Sequence, residues 1–390
     1  MSQTYFPYGL AGTWKYPANI RFGPGAIAAL PEACAAAGMA RPLLVTDPGV
    51  RALPICDKAL KVLSDAGIEA GIFSNVQPDP VGKNIDDGIA AFQNGGHDGV
   101  IAFGGGSGLD AGKSIALLCR IDGSIWDHEG AFGDVPADQV APVVSVPTTA
   151  GTGSEVGRAT VVTHEEQQVK KILLHPAMMP REVVADPELT LALPPFLTAA
   201  TGMDALAHSL EALSGPFLHP MSDGIAVEGI RLVHDWLPVA FRDGNNIEAR
   251  TAMMAAAIMG AVAFQKALGA IHALSHPIGA VHHLHHGMTN AVFMPYVVQF
   301  NRPAIEPAIE RLARYLNLAD PSFDGFQNWI LDLRSTLAMP HTLKEAGVED
   351  PDFDRLADMA FADPNAAENP VPVGVAELKM LFEKTYEGKL

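Results

Sequence analysis

Up to about residue 190, short aliphatic and β-branched runs alternate with stretches whose apolar positions recur every three or four residues. Short apolar runs bounded by turn residues mark strands and a period near 3.6 marks helices, so the alternation predicts βα units around a largely parallel sheet. Expected strands are 43–46, 70–73, 100–103 and 143–146, and expected helices 26–37, 52–66 and 81–94. After Asp186-Pro187-Glu188-Leu189-Thr190 the strand signal disappears. Later segments read as amphipathic or buried helices closed by Gly, Pro or Asn: 198–213, 222–241, 247–264, 289–300, 323–337 and 375–387. The expectation is an α/β domain over 1–190 and an all-helical domain over 191–390, with a ligand cleft between them.

Composition narrows the function classes. A chain of 390 residues exceeds one hydrophobic core, and 48% apolar against 18% charged residues without low-complexity tracts is globular. The 44 acidic residues against 26 basic ones give a formal charge of -18, which repels nucleic acid and anionic lipid; neither is an expected partner. Cys34, Cys56 and Cys119 are far apart, odd in number and in no CxxC, which argues against a disulfide framework or a thiolate metal site and for a reducing cytoplasm. Met1-Ser2-Gln3-Thr4-Tyr5 does not read as a secretory signal, and the apolar stretch 252–264 is too short to span a bilayer.

Candidate chemistry begins at a glycine-rich turn. Residues 99–103 read as a strand, Gly104-Gly105-Gly106-Ser107 as a turn and 110–118 as a helix, and amides at such a helix N-terminus suit a pyrophosphate. Two familiar fingerprints fail. G-x-G-x-x-G would need glycine at Leu109, and a Walker A motif ending at Gly112-Lys113-Ser114 would need one at Ser107. Taken alone, the turn is equally a structural strand-to-helix connection. A second candidate, Pro147-Thr148-Thr149-Ala150-Gly151-Thr152-Gly153-Ser154-Glu155, follows the strand at 143–146, where ligands of open α/β sheets gather. Its alternative is a polar loop capping a helix. Two such loops favour a nucleotide. Asp47 ends the first strand, where a carboxylate either accepts a ribose hydroxyl and repels a 2′-phosphate, favouring NAD over NADP, or makes an Asx turn before Pro48-Gly49.

The helical half carries different chemistry. Asp204 and His208, four apart, share a helix face. Between His272 and His286, six of the chain's 14 histidines fall within 15 positions among mostly apolar neighbours, a cluster that a metal site explains better than core packing does. His272 and His276 face one way, with Pro277 expected to limit their helix. Imidazoles with a carboxylate suit Fe(II) or Zn(II).

These motifs together resemble the iron-containing alcohol dehydrogenase family, whose fold is shared with glycerol dehydrogenase and dehydroquinate synthase. The carriers are Gly104-Gly105-Gly106-Ser107 with Asp110 and Lys113, the segment 147–155, Asp186-Pro187, Gly202-Met203-Asp204-Ala205 with His208, and His272 with His276-Pro277 and His286-Gly287. The resemblance implies a dehydroquinate synthase-like fold: an α/β N-terminal nucleotide-binding domain plus an all-α C-terminal metal-binding domain. It implies metal ligands at Asp204, His208, His272 and His286, and His276 beside metal and nicotinamide. It further implies cofactor contacts at Asp47, Gly105, Gly106, Ser107, Asp110, Thr148, Thr149, Thr152 and Lys170. The cofactors are then NAD with Fe(II), or alternatively Zn(II), the substrate a small alcohol or aldehyde, and the assembly a homodimer or larger homo-oligomer. A divalent ion would act as a Lewis acid on the hydroxyl, hydride would pass to NAD, and His276 would relay the proton.

Two competing readings are weaker. A dehydroquinate-synthase-like lyase would need several Lys and Arg near the metal region, which has few, and a non-catalytic metal-binding protein leaves the paired phosphate-type loops unexplained. Two departures from the family pattern touch substrate choice: Gln265-Lys266-Ala267-Leu268-Gly269 before His272, and Asn369-Pro370-Val371 where Asn-Pro-Arg is frequent. Lys266 would either meet the anionic tail of an ω-hydroxy acid or lie solvated at the surface or an interface.

Overall fold

A computed structural model describes residues 19–128, 135–167 and 169–390. Residues 1–18, counted above with the first domain, lie outside the described residues. The chain divides into a unit ending at Ala192 and a unit running from Leu193 to Leu390.

In the first unit the described strands are β1 (Asn19–Phe22), β2 (Pro42–Val45), β3 (Gly71–Phe73), β4 (Gly99–Gly104), β5 (Val143–Pro147), β6 (Ala159–His164), β7 (Val169–Leu174) and β8 (Glu182–Ala185). Its helices are α1 (Leu30–Ala37), α2 (Pro48–Arg51), α3 (Pro54–Asp65), α4 (Gly82–Asn94) and α5 (Gly106–Leu118). The main sheet has the order β1-β8-β5-β4-β2-β3 with every pairing parallel, while β6 and β7 form a separate antiparallel ribbon. Alternate residues of a strand face opposite sides, and both sides are buried here. Val100 and Ala102 join one apolar cluster with Leu109 and Ile115 of α5, whereas Ile101 and Phe103 join another with Leu30 of α1 and Leu63 of α3. Two-sided burial makes these strands read as continuous apolar runs.

Strands β1, β6, β7 and β8 add to the expected four. The β1–β8 edge is legible only in three dimensions, because Asn19 and Arg21 of β1 hydrogen-bond the Glu182 carboxylate of β8. The order of strand addition switches sides at β2: β3 lies on one side of it and β4, then β5, on the other. Open parallel sheets bind ligands beyond the strand ends at such a switch point. Asp47 follows β2 and Gly105 follows β4 at that place.

The second unit is helical throughout its described elements: α6 (Pro195–Ser214), α7 (Pro220–Arg242), α8 (Ile247–Ala263), α9 (Ala270–His282), α10 (His286–Tyr315), α11 (Phe323–Thr336), α12 (Phe353–Ala362) and α13 (Val375–Glu387). Two expected helix ends fail. Pro277 lies inside α9, which runs on to His282, and α10 extends past the expected end at 300 through Pro303 and Pro307. A proline removes one helical hydrogen bond. Here packing outweighs that loss: Pro277 and Ile278 are buried in α9, and Ile305, Ile309 and Leu312 continue the buried stripe of α10. Helix α12 was not anticipated. Among the described residues no helix is long and apolar enough to cross a membrane. The three cysteines are buried and unbridged, and burial pushes the thiols of Cys34 and Cys119 up to about 12 and about 11.

Candidate metal centre and cofactor cradle

The candidate cofactor cradle belongs to the first unit and is built largely from backbone. Gly104 has φ +149 and its carbonyl accepts from Thr148 N at 2.9 Å, which joins the ends of β4 and β5. A Cβ on Gly105 would stand 3.1 Å from Thr149 Cγ2, and one on Gly106 would stand 2.8 Å from Thr152 Cγ2. Glycine therefore lets the 147–155 loop close onto the N-terminus of α5, where amides without helical partners and the helix dipole favour an anion. Ser107 Oγ accepts from Asp79 N at 3.3 Å, and the Asp79 carboxylate pairs with Lys170 Nζ at 2.6 Å, which draws Ser107 and Lys170 into one cluster.

Asp47 is the N-cap of α2, with Oδ1 accepting from Val50 N at 2.9 Å. Its Oδ2 would lie 3.7 Å from a Cβ on Gly104, beside the turn. The cap and a ribose-facing oxygen are thus compatible on one carboxylate. Asp110 turns inward. One oxygen accepts from Ser154 Oγ and the other from Val161 N at 2.9 Å. Lys113, fully buried, donates to the carbonyls of Ser154 and Ala159 at 2.9 and 2.6 Å. Both residues tie the loop beyond β5 to α5. Glu155, buried in the same loop, is pushed up to about 7 by burial.

The candidate metal centre belongs to the second unit and is built from side chains. Helix α6 supplies Asp204 and His208, α9 supplies His272, and α10 supplies His286. Close helix approach makes this possible: a Cβ on Gly287 would fall 2.1 Å from Ala200 O, so only glycine lets α10 start against α6. The Nε2 atoms of His208, His272 and His286 lie 3.7, 3.9 and 3.4 Å from Asp204 Oδ1. Ligand atoms about 2.0–2.2 Å from one ion stand about that far apart, so each imidazole's spacing from Asp204 Oδ1 suits an ion such as Fe(II) or Zn(II). Ligand atoms of Asp204, His208 and His272, all buried, lie within 4.8 Å of one another. His286 joins through Asp204 and is more open, at 25% side-chain exposure. His276 stacks on His286 with ring centroids 5.3 Å apart. The other three histidines of the cluster do different work: His283 ends α9 at φ 55, His285 is the N-cap of α10 and packs against Phe196, and His282 closes α9.

Three supporting residues escaped the sequence reading. Glu211 Oε2 accepts from His272 Nδ1 at 2.5 Å. Burial opposes a charge on His272, but Glu211 outweighs it and holds the imidazole above its usual pKa. Asn290 Nδ2 donates to Asp204 Oδ1 at 2.8 Å and lies 3.1 Å from His286 Nε2. Asp363 Oδ2 accepts from His276 Nδ1 at 2.6 Å; burial would raise its carboxyl, yet His276 holds it below the usual carboxylate range. A signal existed for two of these. Asp204, His208 and Glu211 follow i, i+4, i+7 spacing, and His286 and Asn290 i, i+4 spacing, each set on one helix face. Asp363 lies 87 residues from His276 and has no local signature.

Lys266 is not a surface lysine. Its side chain is 4% exposed, and Nζ pairs with Asp223 Oδ1 at 2.6 Å and donates to Leu213 O at 3.3 Å. The departing Asn369-Pro370-Val371 segment is structural at its first residue: Asn369 Oδ1 accepts from Ala270 N at 3.1 Å at the start of α9.

Two family models match the chain: the iron-containing alcohol dehydrogenase model over residues 17–187 and the C-terminal model of the Fe-containing alcohol dehydrogenase family over residues 198–386. The chain belongs to the iron-containing alcohol dehydrogenase family. A 4-hydroxybutyrate dehydrogenase of Cupriavidus necator is 36% identical over 383 residues, covering 95% of this chain and 98% of the relative. The crystal structure of a 1,3-propanediol oxidoreductase superposes with a TM-score of 0.92 at 34% identity, covering 96% of this chain and 100% of the other. A sulfoacetaldehyde reductase from Bifidobacterium kashiwanohense in complex with NAD+ superposes with a TM-score of 0.88 at 27% identity, covering 97% and 99%. The chain is accordingly an oxidoreductase of the iron-containing alcohol dehydrogenase type.

Proposed function

We propose that Asp204, His208, His272 and His286 hold the catalytic divalent ion of this alcohol dehydrogenase and that His276 moves the proton. The convergence of three Nε2 atoms on Asp204 Oδ1 carries the reading. A bound ion of this class supplies Lewis acidity that lowers the pKa of an alcohol hydroxyl, and NAD supplies the hydride acceptor. The protein's own side chains do the rest. Asp363 holds His276 by Nδ1, which leaves Nε2 of the neutral ring as its proton acceptor. The amides of Gly105, Gly106 and Ser107, with Thr148, Thr149 and Thr152, receive the cofactor diphosphate. Lys170, held by Asp79, adds a cation there, and Asp47 faces the ribose and selects NAD over NADP. Asp110 serves the cofactor indirectly by holding the loop through Ser154 and Val161.

The relatives' names direct the substrate search to short ω-hydroxy compounds and diols. Because Lys266 is paired with Asp223, a carboxylate tail would have to be read by another residue. The test is NADH formation over a panel of short alcohols, diols and ω-hydroxy acids, with Fe(II)- and Zn(II)-loaded protein and with His276→Ala. A loss of turnover in His276→Ala with metal content retained supports its role; undiminished turnover refutes it.

A further inference from the structure

Two N–H groups at the start of α9 point at one buried carboxylate. Ile271 N donates to Glu211 Oε1 at 2.7 Å, and His272 Nδ1 donates to Glu211 Oε2 at 2.5 Å. Glu211 is 6% exposed. The approach is prepared by Gly269, where a Cβ would stand 3.0 Å from Glu211 Oε1 and 2.9 Å from Asn369 Oδ1. The Ile271 amide lies in the first turn of α9 and has no acceptor within the helix, so Glu211 closes that end from another element.

We propose that Glu211 is a positioning residue of the metal centre that selects the ligating tautomer of His272. The proposal rests on the reading of His272 as a metal ligand. A neutral imidazole carries one proton on one of two nitrogens. A carboxylate that accepts from Nδ1 keeps the proton there and leaves the lone pair on Nε2, the nitrogen that faces Asp204 Oδ1 at 3.9 Å. Outer-sphere partners of this kind fix ring orientation and strengthen the ligand.

The donor pattern explains why a carboxylate stands here. Ile271 N–H and His272 Nδ1–H both need an acceptor, and a carboxylate is an acceptor at both oxygens. Glutamine has the same shape but one oxygen and one NH2. With its oxygen on Ile271 N, its NH2 donates to Nδ1, moves the ring proton to Nε2 and aims an N–H at the ion site. Turned the other way, the NH2 meets the Ile271 N–H donor against donor. Methionine, of similar length, offers neither group and leaves the ring free to choose.

A tautomer-selecting role and a helix-capping role therefore order two variants oppositely. The measurement is Zn(II) affinity by competition with a chromogenic chelator, for the parent, Glu211→Gln, Glu211→Met and His272→Ala, with thermal melting of the chelator-treated proteins alongside. Glu211→Gln is expected to lower affinity about 10–100-fold, the range for outer-sphere residues, and to bind Zn(II) more weakly than Glu211→Met while melting at a higher temperature. Capping alone predicts the reverse affinity order, because glutamine keeps the Ile271 acceptor. Affinity of Glu211→Gln within about twofold of the parent, or above that of Glu211→Met, overturns the proposal. Should Glu211→Met not fold, the twofold criterion on Glu211→Gln decides. Parent-like affinity in His272→Ala would instead remove the ligand reading itself, and the proposal with it.

Discussion

The two proposed sites of this protein are made of different material. In the α/β unit the proposed cofactor cradle is mostly main chain, and its charged side chains Asp110 and Lys113 turn away from the turn to brace the 154–161 segment. In the helical unit the main chain is spent within helices, and the site consists of side chains from α6, α9 and α10, steadied by carboxylates of Glu211 and Asp363. A main-chain site is sensitive to added volume and tolerant of lost side chains; a side-chain site is the reverse. The contrast follows from helix geometry: amides are unpaired only at helix ends, whereas side chains radiate along the whole length.

The largest expected effect tests that separation directly. Asp204→Ala should abolish tightly bound metal and lower kcat/KM about a thousandfold or more, since Lewis-acid stabilisation amounts to several kcal/mol. NADH affinity, by fluorescence titration, should stay within about twofold because the cradle belongs to the other unit. Full metal content by elemental analysis would break the ligand assignment. The converse variant adds volume to the cradle. Gly106→Ala places a methyl 2.8 Å from Thr152 Cγ2 and should weaken NAD binding about tenfold with metal content unchanged, within the 1–3 kcal/mol that overpacking costs. Unaltered NAD affinity would show that this turn does not grip the cofactor.

A smaller effect sharpens the one exception, a cradle residue acting by charge. Asp47→Ser keeps an N-cap for α2 but removes the carboxylate, and should narrow the NAD-over-NADP preference by about 1 kcal/mol. An unchanged preference would leave Asp47 only its cap. The smallest effect is expected at Lys266. Lys266→Met should leave the ratio of kcat/KM for an ω-hydroxy acid to that for a neutral alcohol of equal length unchanged, because the ammonium is already paired with Asp223. A selective loss on the anionic substrate would reopen that lysine as a substrate contact.

Much of both sites is legible in the chain. The strand-turn-helix at 99–118 is local, so apolar run, glycines and helical spacing appear in one window. Asp204, His208 and Glu211 mark one face of α6, and the histidine density between 272 and 286 marks a metal region. Density did not say which histidines meet. His283 and His285 took helix-end positions because α9 had to stop and α10 begin between them.

The sequence by itself determined the α/β half followed by the helical half, the phosphate-type turn and the candidate ligand types. These follow from periodicity, from glycine sterics and from the chemistry of single side chains, all of which act over a few residues. Only the tertiary structure decided the rest: that β1 pairs with β8 across 163 residues of chain, that α9 runs through Pro277, that Lys266 is buried against Asp223, and that Glu211 and Asp363 each hold an imidazole by Nδ1. Each of these is settled by burial and by pairing of polar groups between segments distant in the chain. A buried donor or charge must find its partner wherever packing brings one, and spacing along the chain carries no record of that distance.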